Sequence, residues 1–342
     1  MLKICVQILL VTLLFLLSSS AMAEKTDVIY LKNGDRVTGE IKTLLRGKLT
    51  VNTDHMGNIA IEWDDILEIV SKTGQSVELT DGKRLYGPLT KPENTDLLVI
   101  KTEDGPKVVD TLEVVAMYPV ATTFWERLDI TASLGFSWDK GSDVGKYNFG
   151  IDTINRRIES MTRTKFSTEV TTQAAANDTS RSLLDANHTV FLENKRFRSY
   201  FGNLERNQEL GLDLRAIAGV GYGWIPVRSQ SGWFSMAAGM NVNHEIPNAG
   251  TAETNIEAAG LITYEYYKYS TPERSFRVNL QVFPSLTDFG RWRSTFSTDF
   301  RFEIFDDLFW KLDFYANYDS SPLSIEGSSS DYGVNSSVAY KF

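Results

Sequence analysis

The sequence predicts an all-β protein in two parts. A C-terminal transmembrane antiparallel β-barrel of about twelve strands follows a small tandem domain of SH3-like or Sm-like β units. Three observations carry this: an apolar leader, a motif that returns after 48 residues, and strict apolar/polar alternation from about Trp125 to Phe342. A length of 342 residues fits two domains or one large β domain. Apolar residues at 42% supply a core, and charge at 23% excludes global disorder.

Residues 1–23 read as an export signal. Lys3 gives a positive start, Ile4 to Leu17 an apolar run, and Ala21 and Ala23 the small residues before a cut after Ala23. The run is shorter than the ~20 residues of a spanning helix. Cys5, the chain's one cysteine, leaves with the leader, so no disulfide framework or cysteine-based zinc site is expected.

Residues 24–120 read as a periplasmic tandem β-repeat domain, with copies at 27–72 and 75–119. The stretch from Ile29 to Gly39 matches that from Val77 to Gly87, and Leu49/Leu97, Val51/Val99, Gly57/Gly105 and Ile66/Val114 continue the offset. Asn33-Gly34 and Asp81-Gly82 are hairpin turns. Gly39 and Gly87 sit where a sharply bent strand has no room for a side chain. Sm-like units often bind RNA, but a formal net charge of −9 lacks the basic footprint that nucleic acid requires. The domain is therefore read as a structural or interaction module, with a periplasmic protein as its possible partner.

Residues 121–342 read as the barrel. Leu128, Ile130, Ala132, Leu134, Phe136 and Trp138 share one parity, and Asp129, Thr131, Ser133 and Ser137 take the other. Strands are expected at about 126–138, 144–157, 161–174, 181–194, 196–206, 211–224, 231–243, 253–268, 274–287, 290–305, 309–320 and 330–342, with ten or fourteen strands as alternatives. Trp125, Trp138, Tyr222, Trp224, Trp233, Trp292, Trp310 and Tyr318 read as interfacial girdles. An even count brings both ends of the barrel to one side, taken as the periplasm, and closure leaves no unpaired edge. Tyr340 and Phe342 form the terminal aromatic signal that the barrel-assembly machinery reads, and outer-membrane lipids surround the wall.

Four stretches go further: Gly211-Leu212-Asp213-Leu214-Arg215 with Gly219 to Gly223; Pro284 to Arg291; Asp306 to Leu312 with Tyr318 to Pro322; and Asp331-Tyr332-Gly333 with Ala339-Tyr340-Lys341-Phe342. Together they resemble the YdiY-like family of salt-induced outer-membrane proteins, a domain of unknown function, over roughly residues 125–342. The resemblance implies an outer-membrane barrel and brings no catalytic residue or cofactor.

Three functions are weighed. The first is a non-enzymatic envelope role, structural or stress-related. The second is a small-solute or ion channel of weak selectivity, whose candidate lumen charges are Asp299, Arg301, Glu303, Lys311 and Asp313. They lie on the tenth and eleventh segments, where opposite charges on neighbouring strands are expected to pair and cancel the lumen field. The third is a lipid-modifying hydrolase. His188 and His244 lack the spacing to a Ser that such nucleophilic chemistry uses, and three scattered His offer no metal site.

Overall fold

The computed structural model describes residues 26–340, except 92–96, 121–122, 142, 174–177, 209–210 and 322–328. The leader, with Ala21 and Ala23, the terminal Phe342 and most of the loop after Ser320 lie outside the described residues.

The repeat is visible strand by strand. One unit holds β1 (Asp27–Leu31), β2 (Arg36–Leu45), β3 (Lys48–Thr53), β4 (Gly57–Glu62) and the first half of β5 (Ile66–Leu79). The other holds the second half of β5, β6 (Arg84–Thr90), β7 (Leu97–Thr102), β8 (Gly105–Asp110) and β9 (Val114–Pro119). A short 3-10 turn precedes the last strand of each, Trp63–Asp65 and Thr111–Glu113, and the Trp63 indole Nε1 donates to Thr111 O at 2.9 Å. Both bend-site glycines are sterically required. A Cβ on Gly39 would stand 2.6 Å from Val51 Cγ1. On Gly87, at φ +155°, it would stand 1.9 Å from Lys101 O.

The two copies are fused rather than strung in tandem. The join expected between residues 72 and 75 falls inside β5, marked only by a register shift between Ser71 and Gln75. A single apolar core runs through both halves, from Ile29, Ile41 and Leu49 to Val77, Leu89 and Met117. Each unit alone would leave half of that core in water.

The rest of the chain forms one antiparallel sheet in which every strand pairs with the next. Its strands are β10 (Leu128–Asp139), β11 (Val144–Arg156), β12 (Ser160–Gln173), β13 (Thr179–Phe191), β14 (Arg196–Asn207) and β15 (Leu212–Arg228). They continue with β16 (Gly232–Pro247), β17 (Glu253–Lys268), β18 (Arg274–Pro284), β19 (Trp292–Phe305), β20 (Leu308–Asp319) and β21 (Ser330–Tyr340). The count of twelve stands. Among the described residues β10 pairs only with β11, and β21 only with β20. The sheet is therefore barrel-like with a seam, rather than a ring sealed by a twelfth ladder. Its two border strands are exposed along nearly their whole length.

Register carries one face across every ladder, because side chains alternate with period two. Asp152, Lys165, Asp185 and Asn203 are successive partners, and so are Glu245, Glu253 and Arg215 on their strands. This polar face is the enclosed one: Asn241, Asn243, Glu245 and Glu257 are buried on it. The outer face exposes Val220, Tyr222, Trp224, Met240, Ile256 and Tyr264. Trp224 and Trp310 lie near one end of that face, and Trp138, Trp292 and Tyr318 near the other. Trp233 does not belong to either girdle. Its register partners are Arg228 and Glu265, and the Arg228 guanidinium lies 4.6 Å from the centre of its ring.

Candidate functional site

The enclosed face carries two charged assemblies, one at each end of the strands. Small residues make room for aromatic rings between them. Gly219, Gly221 and Gly223 lie in a row on β15, and a Cβ on Gly219 or Gly223 would strike the rings of Phe201 or Phe197 at 2.3 and 2.2 Å. Aromatic rings thus lie against a backbone stripe. Near the end carrying the longer loops, Arg215 donates to Glu245 at 2.8 Å and to Glu205 at 3.2 Å. Arg291, from the β18–β19 loop, stands 3.7 Å from Glu245 and 3.3 Å from Asp319. Beside it Arg293 forks onto both oxygens of Glu257 at 2.7 and 2.9 Å. Burying these charges is tolerable because each has a counter-ion, and Arg293 meets both oxygens of its own.

The second assembly joins the small domain to the sheet. Glu78 on β5 meets Arg228 at 2.5 Å and Arg84 at 3.4 Å. Arg46 pairs with Glu265, which also accepts from Arg277 at 3.0 Å. Gln230, in the β15–β16 turn, donates to Thr111 O at 3.1 Å and Val114 O at 2.9 Å. Cations lie over rings across the same boundary: Arg84 over Phe191 at 4.3 Å, Arg156 over Tyr118 at 4.6 Å and Lys48 over Tyr269 at 4.1 Å. Phe191, Arg228, Glu265 and Tyr267 lie on the enclosed face of their strands, so the small domain covers the mouth from β11 to β17. Burial raises the pKa of the Tyr118 hydroxyl, which therefore stays neutral at the joint.

The five charges singled out in the sequence all fall on the enclosed face, but not in the expected pairs. Register sets Asp299 opposite Asp313 and Arg301 opposite Lys311, like facing like. Arg301 instead reaches Glu273 in the β17–β18 turn at 3.5 Å and lies 3.9 Å over the Phe309 ring. Glu303 is buried and accepts from the backbone of Glu273 at 2.5 Å and of Asp307 at 3.1 Å, so it ties two turns together. The paired network lies on Glu205, Arg215, Glu245, Glu257, Arg291 and Arg293, which sequence reasoning passed over. Their common parity with the glycine row was the available signal.

His188 and His244 lie on the outer face of the sheet. His188 Nδ1 is 2.8 Å from Thr162 Oγ1, and His244 Nδ1 is 2.7 Å from Thr254 Oγ1. His55 is exposed in the β3–β4 turn. Tyr340 ends β21 opposite Leu308 and is exposed.

A family model described as "Protein of unknown function, DUF481" matches residues 132–342. No curated protein and no solved structure matches the chain. The chain belongs to this family, which agrees with the resemblance carried by Gly211 to Gly223 and Pro284 to Arg291. The match begins inside β10, so the fused repeat lies outside it.

Proposed function

We propose that this family member is an outer-membrane barrel with a non-enzymatic envelope role, structural or stress-related, whose N-terminal domain caps the periplasmic mouth. One observation carries the reading: the large exposed side chains of the sheet's outer face are mainly apolar, while its buried charges lie on the enclosed face, the reverse of a water-soluble sheet. Such an exterior is stable only in hydrocarbon. Orientation follows from the turns. The small domain sits at the end with the shorter connections, down to residues 306–307, while the other end includes 320–329. Barrels of this kind turn short on the periplasmic side. In a bilayer the seam edges of β10 and β21 have each other to pair with, since lipid offers no hydrogen bonds.

A weakly selective channel is the second reading. The ion-paired network at one end and the seated domain at the other both oppose conduction. Cell fractionation and a heat-dependent gel shift test the barrel: recovery from soluble periplasm with no shift would overturn it. Planar-bilayer recording then separates the roles. Small or undetectable currents fit the capped barrel, and large, strongly selective ones reject it. A lipid-hydrolysis assay on the same sample tests the enzymatic alternative.

A further inference from the structure

The boundary between the small domain and the sheet holds a half-open cavity of about 670 Å³. Tyr118, Pro119 and Val120 form one wall, and the β11–β12 turn, with Arg156, Arg157 and Ile158, forms the other. Its charge is unlike that of the chain. The protein carries a formal net charge of −9, yet five arginines line this cavity against two carboxylates, Glu78 and Glu159. Glu78 answers Arg84 and Arg228. Among the described residues neither Arg156 nor Arg157 has a carboxylate within ion-pair distance.

Arg156 is held for use. Its guanidinium lies over the Tyr118 ring, 4.6 Å from the ring centre, and Nη1 reaches Met161 Sδ at 3.1 Å. Its Nε is buried and hydrogen-bonds to nothing in the protein. A guanidinium fixed on one face by an aromatic ring keeps its donor edge available, and that planar fork matches phosphate oxygens. The side chain is half-buried and its Nε donor is shut off from water without a partner, so an anion at this place would stabilise the joint. Tyr118, Ile158, Met161 and Phe191 give the cavity apolar walls as well. The volume is also large for a bare anion.

We propose that this cavity binds the phosphate group of an anionic ligand, held by Arg156 and Arg157, with an apolar portion of the ligand against Tyr118, Ile158 and Met161. The shared chemistry is a phosphate ester. Its source is either a lipid headgroup or a soluble phosphate compound. This inference stands on the interdomain cavity and does not depend on the membrane reading.

The test is calorimetric titration of the full chain in non-ionic detergent with short-chain phosphatidic acid, short-chain phosphatidylcholine and inorganic phosphate. Saturable binding that weakens with salt is expected for phosphatidic acid, because the attraction is ionic. Tight phosphatidic acid with weak inorganic phosphate assigns a lipid headgroup. Comparable binding of both assigns a soluble phosphate source. In either case R156Q and R157S should each weaken binding about tenfold or more, the scale of a charge-assisted hydrogen bond. Arg157 is exposed at the turn, so R157S keeps the test informative if R156Q fails to fold. The proposal is overturned if neither anion binds saturably, if phosphatidylcholine binds as well as phosphatidic acid, or if binding survives R157S and a folded R156Q.

Discussion

The two halves of the chain use the same alternation with opposite sign. In the small domain, Ile29, Ile41, Leu44, Leu49 and Val51 are completely buried, and of its charged residues only Asp27 and Glu78 are buried among the described residues. In the twelve-stranded sheet, Asn243, Glu245 and Glu257 are buried, while Val220, Tyr222, Met240 and Ile262 are exposed. Apolar burial stabilises the first in water. The second gains little from its interior unless its exterior leaves water too. On the proposed function, what distinguishes them is the solvent each was built for, and substitutions should separate them.

The largest effect is expected at a bend of the small domain. A piece spanning residues 24–120 has a self-contained core and should fold alone, as a β-rich, soluble species. In it Gly87→Ala should cost more than ~4 kcal/mol, because the new methyl would sit 1.9 Å from the Lys101 carbonyl oxygen. Gly105→Ala, also at positive φ but with open space around it, should cost only about 1–2 kcal/mol. Urea melts of the two variants check this. Similar losses would mean that the bend is not as tight as the geometry says.

Next comes the enclosed network of the sheet. Glu245→Gln leaves Arg215 and the buried Arg291 short of a counter-charge and should cost about 3–5 kcal/mol. The temperature at which the gel shift occurs should fall. An unchanged transition would show that the interior is wet enough to screen these charges.

Phe300→Arg addresses the outer face. Phe300 stands between Phe276 and Leu312 on neighbouring strands. Near a bilayer midplane the substitution should cost about 2–4 kcal/mol. Arg301→Ala, on the opposite face, loses only the contacts to Glu273 and Phe309 and should be milder. Equal tolerance of both, measured by unfolding from lipid vesicles, would break the inside-out comparison.

Parity was legible because it is a property of a single strand. The twelve strands, their faces and the duplication could all be read from residue order. Strand ends were less legible. The sixth strand was expected to stop at Trp224, yet β15 runs to Arg228 through a register shift between Trp224 and Val227, where Pro226 interrupts the alternation. The seventh was expected to stop at residue 243. His244 and Glu245 were placed at its outer end, before the loop; Glu245 points into the network and the strand continues to Pro247. Charge partners were not legible at all. Alternation places Asp299 and Arg301 on the enclosed face but says nothing about which residue of β20 stands opposite; that is set by the two-residue turn at 306–307. The seating of the small domain was equally hidden, since it depends on turns distant in sequence meeting Glu78, Arg84 and Arg46.

The smallest expected effect turns on the same chemical change as Glu245→Gln and has the opposite sign. Asp27 is a buried carboxylate in the small domain, accepting from the Ile41 amide at 2.8 Å. Its second oxygen hydrogen-bonds to nothing. Burial raises its pKa; the bonds from Ile41 and Ser71 only partly offset this, and nearby Glu40 adds to the rise. The folded state therefore holds a proton more readily than the unfolded chain. At neutral pH the ionised group diminishes stability, and that loss is relieved as the pH falls from above the raised folded value toward the ordinary carboxylate range. Asp27→Asn removes the charge and keeps an oxygen for the Ile41 amide. It should raise the melting temperature of the 24–120 piece at neutral pH and abolish the acid-side gain of the wild type. Glu245 differs because Arg215 and Arg291 stand beside it, so its charge is matched where that of Asp27 is not. A destabilised Asp27→Asn at neutral pH would show that Asp27, like Glu245, needs its charge, and that the two interiors are less different than their side chains suggest.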